Sequence, residues 1–172
     1  LPGSYNLPRK YKIAFSGCAA DCALAMVNDL GFIARVRDGV PGFGVYAGGG
    51  MGAESRVCDR MEEWAPAGEV IRIAEAVRRL FDRMGDRRNR RRARLRFAVE
   101  RVGPAEFRRL LREGVSAAAG DGIPVCEAQA EIAAAPIEPR GDYHALFTSV
   151  AGMDVLRQRQ EGYVAVPLRL PL

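Results

Sequence analysis

At 172 residues and 48% hydrophobic composition, the chain is long enough to bury one substantial core and, beyond it, a second small lobe. It contains no run of ~20 apolar residues of the kind that spans a bilayer, and its opening, LPGSYNLPRK, lacks the basic-then-apolar layout of a secretory leader. A formal net charge of +5, carried almost wholly by arginine, points to an anionic partner, while four cysteines in no regular framework point to free or metal-bound thiols in a reducing cytoplasm.

Tyr11, Ile13 and Phe15 alternate with Lys10, Lys12 and Ala14, which is strand periodicity closed by Gly17. Asp21 is placed to cap a short helix over 22–30, with Gly31 just past its end. The stretch 32–47 reads as a β-hairpin turning at Asp38-Gly39 and Pro41-Gly42, and GGGMG at 48–52 as a glycine-dense loop. After a polar loop holding the only tryptophan, Trp64, the spacing of Val70, Ile73, Val77, Leu80, Phe81 and Met84 predicts the clearest helix, ended by Gly85. A second helix is predicted over 87–102 and a third over 105–113, separated by Gly103-Pro104.

From Gly114 the chain turns rich in Ala, Gly and Pro, as a linker or loosely packed crossing over 115–157 would be, before a last strand in EGYVAVPLRL. The expected fold class is α+β, a mixed β-sheet packed against several helices. Starting on Leu and ending on a strand, the chain is expected to be a piece of a longer protein.

Three features carry chemistry. On a strand Lys10 and Lys12 share a face. They form either a solvated surface or a two-ammonium clamp for a small oxyanion, in which compact rotating donors can also deliver protons. Cys18 and Cys22 stand in a C-x3-C loop, either as ordinary thiols or as half of the four-thiolate set that a cubane cluster wants. Seven arginines fall between 87 and 96. At helical spacing Arg87, Arg90, Arg94 and Arg101 would form one band beside the apolar stripe of Leu95, Ala98, Val99 and Val102.

The stretch LPRKYKIAFSGCAADCALAMVNDLGFIARVRDGVPGFGVYAGGGMG, followed by GDRRNRRRARLRFAVERVG, resembles the first siroheme-binding repeat of the sulfite and nitrite reductase haemoprotein family. The resemblance runs from about Leu7 to Gly114, within an expected domain over 1–114, and the segment 158–172 resembles the start of a second, ferredoxin-like half. What it implies is an oxidoreductase that reduces sulfite or nitrite by six electrons, using siroheme and a [4Fe–4S] cluster in the full-length enzyme. Lys10 and Lys12 would bind the anion at the siroheme iron. Gly48, Gly49 and Gly50 would let backbone approach the macrocycle, and Arg94, with Asn89 and Arg90, would reach its carboxylates.

The resemblance also implies a missing second repeat that supplies the cluster ligands, an electron donor protein or domain, and a cytoplasmic enzyme without a membrane. Cys18 and Cys22 then read as a remnant of a duplicated motif rather than as cluster ligands, and the isolated chain as inactive and free of cofactor. Arg94, beside the apolar stripe rather than in it, would be removable at little cost to the fold. The rival readings are a small basic nucleic-acid-binding module built on a helix over 87–96 and a cluster protein using all four cysteines.

Overall fold

The computed structural model describes residues 6–52, 54–126, 156–157 and 164–165. The chain divides into two units, Leu1–Ala130 and Glu131–Leu172, with the division inside the segment 115–157. In the second unit Leu156–Arg157 pairs antiparallel with Val164–Ala165. His144 and most of the stretch read as a linker lie outside the described residues.

The first unit is a four-stranded mixed sheet in the order β1-β2-β3-β4 with three helices, as the α+β expectation required. Strand β1 (Ile13–Ser16) runs parallel to β2 (Leu30–Arg37), which pairs antiparallel with β3 (Val40–Ala47), and β3 with β4 (Asp59–Pro66). The β2–β3 turn is two residues, Asp38 (φ 51°) and Gly39 (φ 76°). Both are left-handed, the type I′ geometry whose twist matches a hairpin. Pro41 and Gly42 belong to β3 instead of the turn, and Gly42 is the point of close approach to Trp64 and Ala65.

Leu30, Phe32, Val45, Ala47, Met61 and Ala65 point from the sheet into a core completed by helices α1 (Val70–Met84), α2 (Leu95–Val102) and α3 (Pro104–Gly120). Phe81 and Phe107 are fully buried there, together with Val77, Leu95, Val99 and Leu111. Apolar burial of this kind is the main favourable term in the fold. On the other face of the sheet Ala25, Ile33, Tyr46 and Cys58 form a second, smaller cluster.

Three expectations are corrected. The stretch 22–30 is not an α-helix. It holds one 3-10 turn (Ala25–Val27) that follows left-handed Asp21 and Leu24, and β2 begins at Leu30. Burial of Leu30 and Phe32 at strand spacing overrides the local helical pattern, and Asp21 caps the short turn by accepting from the Ala25 and Met26 N–H groups. The polar loop around Trp64 is strand β4, an edge strand whose Asp59, Arg60, Glu62 and Glu63 disguise it. Third, the arginine run is not helical before its last member, Arg96, because α2 starts only at Leu95. Asp86 accepts the Arg88 and Asn89 N–H groups and Asn89 Oδ1 accepts that of Arg91, so side chains compete for the backbone bonds a helix needs. The predicted band of Arg87, Arg90, Arg94 and Arg101 on one helix face therefore does not form.

An ion-pair cluster fastens the outer turn of α1. Glu75, 4% exposed, accepts from Arg78 Nε and Nη2 at 2.7 and 2.9 Å and from Arg79 Nε at 2.7 Å. The Arg78 hydrogen bonds hold the Glu75 carboxyl below its ordinary value, against the opposing effect of burial. A carboxyl depressed in the folded state stabilises above its unfolded pKa, ~4.3 for Glu, and that contribution fades as pH falls through the folded value. Glu75→Gln is expected to lower the unfolding midpoint at neutral pH and to flatten its fall below pH ~4. Thermal unfolding across pH checks this, and parallel curves for the two proteins would contradict it.

Candidate functional site

Edge strand β1 and the chain leading into it, with the first turns of α1, enclose an open groove of about 1140 Å³. Its apolar wall is Leu7, Pro8, Ile13, Phe15, Val70, Ile71 and Ala74, and its cations are Arg9, Lys10, Arg78, Arg87 and Arg90. Ile13 is 41% exposed and Phe15 49% exposed. Phe15 stacks on Phe32 at 4.8 Å between centroids and meets Phe43 edge-on, so its inner side is packed while the residue as a whole stays half open. An apolar strip rimmed by guanidinium and ammonium groups suits a flat ligand that carries carboxylates.

Two buried donors at this groove lack acceptors among the described residues, the Tyr11 hydroxyl and Arg78 Nη1. Burial, reinforced by the negative charge of Asp29, pushes the Tyr11 phenol well above its ordinary value, so it stays protonated. Orphaned buried donors are uncommon in native proteins and mark places where water or a ligand supplies the acceptor. The residues present therefore fit an anionic group.

Lys10 and Lys12 are both exposed, and both precede β1 rather than lie within it. Lys10 lines the groove beside Arg9, Arg87 and Arg90, whereas Lys12 is not part of that wall. Its backbone is fixed instead: Lys12 N–H donates to Asp29 Oδ2 at 2.9 Å and Lys12 O accepts from Leu30 N–H at 3.1 Å. Asp29 is fully buried and is the hub of the site. Arg94 grips it through Nε and Nη2, with Nη2 at 3.0 Å from Oδ1 and 2.7 Å from Oδ2, and the Asp29 carbonyl accepts the Gly48 N–H at 2.9 Å.

One residue thus ties three segments together, its carboxylate holding the lysine segment and the arginine run and its backbone carbonyl the glycine triplet. Arg94, whose side chain is only 13% exposed, is the corrected residue: its guanidinium neutralises a buried charge and is not a removable surface group. No reading of the sequence marked Asp29, which sat inside the predicted helix. An acid in the apolar stretch MVNDLGF that must find a cation is the one signal it offered, and its partner lies 65 residues away.

Gly48, Gly49 and Gly50 are buried, and protein atoms fill the space where their Cβ atoms would stand. A Cβ on Gly49 would sit 2.5 Å from Met26 O and 2.7 Å from Asn28 O; one on Gly50 would sit 2.3 Å from Arg96 Nη1. Gly48, at φ +89°, faces Val99. The close approach that excludes side chains here is to the 26–28 turn and to α2. Asn89 and Arg90 are exposed; Asn89 shapes the turn ahead of α2, and the Arg90 carbonyl accepts from Arg9 Nη1 at 2.6 Å.

The Cys18 and Cys22 sulfurs lie 3.0 Å apart on the surface loop after β1. Cys58 is buried with its thiol on Asn28 O, and burial pushes its pKa up to about 12. Among the described residues no three His, Cys, Asp or Glu side chains gather as a metal site. The nucleic-acid reading loses its helix, and much of the run is spent internally. Arg87 pairs with Asp82, Arg92 with Glu100 and Arg94 with Asp29, while Arg96 lies over the Phe97 ring. No helix among the described residues is long and apolar enough to cross a membrane.

Residues 1–118 match the family described as the nitrite and sulphite reductase 4Fe-4S domain. The ferredoxin–nitrite reductase of Synechococcus elongatus is 36% identical over 115 residues, covering 65% of this chain and 22% of that protein. The sulfite reductase [NADPH] hemoprotein beta-component of Acidithiobacillus ferrooxidans is 42% identical over 115 residues, covering 62% and 20%. Among solved structures, that of the Mycobacterium tuberculosis NirA protein superposes with a TM-score of 0.61 at 35% identity, over 67% of this chain and 21% of that one. The chain thus spans about a fifth of the length of these relatives.

Proposed function

The chain belongs to the nitrite and sulphite reductase 4Fe-4S domain family, and on that premise we propose that it is the anion-binding repeat of a siroheme-dependent sulfite or nitrite reductase. The observation that carries this reading is the groove at β1, an apolar strip with Lys10, Arg9, Arg87 and Arg90 around it and two orphaned donors at its wall. Siroheme bound there would supply the redox-active iron, fed by a [4Fe–4S] cluster whose ligands come from the remainder of the longer protein.

The chain's own residues hold and orient. Lys10 and Lys12 attract the oxyanion and deliver protons to its oxygens as electrons arrive. Arg90, with Arg9, pairs with cofactor carboxylates, and Tyr11 and Arg78 Nη1 offer further donors. Asp29 and Arg94 act one layer back by fixing the Lys12 backbone. Gly48, Gly49, Gly50 and Asn89 shape the backbone behind and beside the pocket. The partners are sulfite or nitrite, a second repeat of the same polypeptide, and an electron donor. Two relatives name their donor, ferredoxin in one and NADPH in the other.

The test is anaerobic purification of the full-length protein with reduced methyl viologen as donor. Six electrons consumed per sulfite or per nitrite, by a protein carrying siroheme, is the expected outcome. A full-length protein that holds no siroheme, or reduces neither anion, would overturn the proposal.

A further inference from the structure

The proposed reductase role leaves the C-x3-C loop without a task, and its geometry supplies one. We propose that Cys18 and Cys22 are a redox-active dithiol that closes to an intraloop disulfide by exchange with a low-molecular-weight disulfide such as glutathione disulfide. The two sulfurs are 3.0 Å apart and share a hydrogen bond; Cys22 is exposed and Cys18 partly so. This is the arrangement an exchange reaction needs, with a partner thiol already in contact and a small oxidant able to reach it.

The loop backbone holds the pair together in the dithiol form. Asp21 N–H donates to Cys18 O at 3.1 Å and Leu24 N–H to Asp21 O at 2.8 Å, closing the chain around both cysteines. Asp21 and Leu24 sit at φ 53° and 52°, left-handed values that are unfavourable for residues with side chains. The Asp21 carboxylate compensates by accepting from Ala25 and Met26 N–H groups at 2.7 and 3.0 Å. A loop ordered in this way makes the second sulfur's attack intramolecular. The contact between the two sulfurs also lowers the Cys18 pKa and raises that of Cys22, which favours Cys18 as the attacking thiolate.

The chemistry balances. The Cys18 thiolate attacks one sulfur of the small disulfide, its S–S bond breaks, and one small thiol leaves with a proton. The Cys22 thiolate then attacks Cys18 Sγ in the mixed disulfide, and the second small thiol leaves with the other proton. Two protein thiols lose two electrons, and the small disulfide gains them. No metal, siroheme or cluster enters, so the inference stands independently of the reductase proposal.

The remaining cysteines calibrate the test: Cys58 is buried and protonated, Cys126 exposed. Native full-length protein is treated with glutathione disulfide, alkylated and digested with trypsin. Residues 13–35, which carry both Cys18 and Cys22, are expected to lose two hydrogens in mass and retain no glutathione, while Cys126 carries glutathione. Cys22→Ser is expected to trap glutathione on Cys18, and Cys18→Ser to suppress modification of the loop. A wild-type 13–35 peptide that keeps both thiols while Cys126 reacts, or that accumulates a stable glutathione adduct, would overturn the proposal.

Discussion

Lys10→Met or Lys12→Met in the full-length protein is expected to lower sulfite or nitrite turnover by roughly 10²–10³, the usual worth of one preorganised electrostatic donor. On the proposed reading, each change removes positive charge where the substrate is negative and where protons must arrive. Both side chains are exposed, so neither is needed by the core, and stability and cofactor content should hold. Lys→Arg should restore turnover only in part, because a planar fork does not reproduce a compact rotating ammonium. Steady-state turnover with siroheme and iron quantified on the same samples checks this. Unchanged turnover in both Met variants, with cofactors loaded, returns the pair to a solvated surface.

Arg94→Ala is expected to destabilise the chain by about 3–5 kcal/mol, because it strands a fully buried Asp29 without its counter-ion. That is a large fraction of the ~5–15 kcal/mol by which domains are stable. The same change would loosen the segment that presents Lys12, since Asp29 also receives the Lys12 N–H. Adding Asp29→Asn should recover part of the loss, as the amide removes the buried charge and can still accept that N–H. Urea unfolding of the single and double variants measures both effects. A loss within ~0.5 kcal/mol, the value for a surface residue, would show that Arg94 is not the partner Asp29 depends on.

What could be read from the sequence was what local patterns encode. The hairpin was legible because Asp38-Gly39 has one favoured turn geometry, and α1 because its apolar residues hold a helical period over fifteen residues. The stretch 22–30 and strand β4 were misread because tertiary placement decides them. Leu30 pairs with Ile13 on one side and Ala47 on the other, and β4 is an edge strand that needs little apolar character on its outer face. The apolar stripe of Leu95, Ala98, Val99 and Val102 marks a helix but not its start: Asp86 and Asn89 offer the backbone ahead of it alternative bonds, and α2 begins at Leu95.

The lysines and the arginine run stand out in the sequence as local concentrations of charge. Their organisation through Asp29 does not, since a pairing across 65 residues leaves no periodic trace. The glycine triplet was noticed for its density, but its close neighbours, the 26–28 carbonyls and Arg96, come from segments that only the fold brings near.

Whether Lys10 and Lys12 meet the oxyanion, as proposed, is decided by a crystal structure of the full-length protein with sulfite or nitrite bound. The predicted result is an anion with the Nζ atoms of Lys10 and Lys12 at hydrogen-bond distance, ~2.7–3.2 Å, from its oxygens. An anion held elsewhere, with both ammonium groups left in solvent, would contradict it.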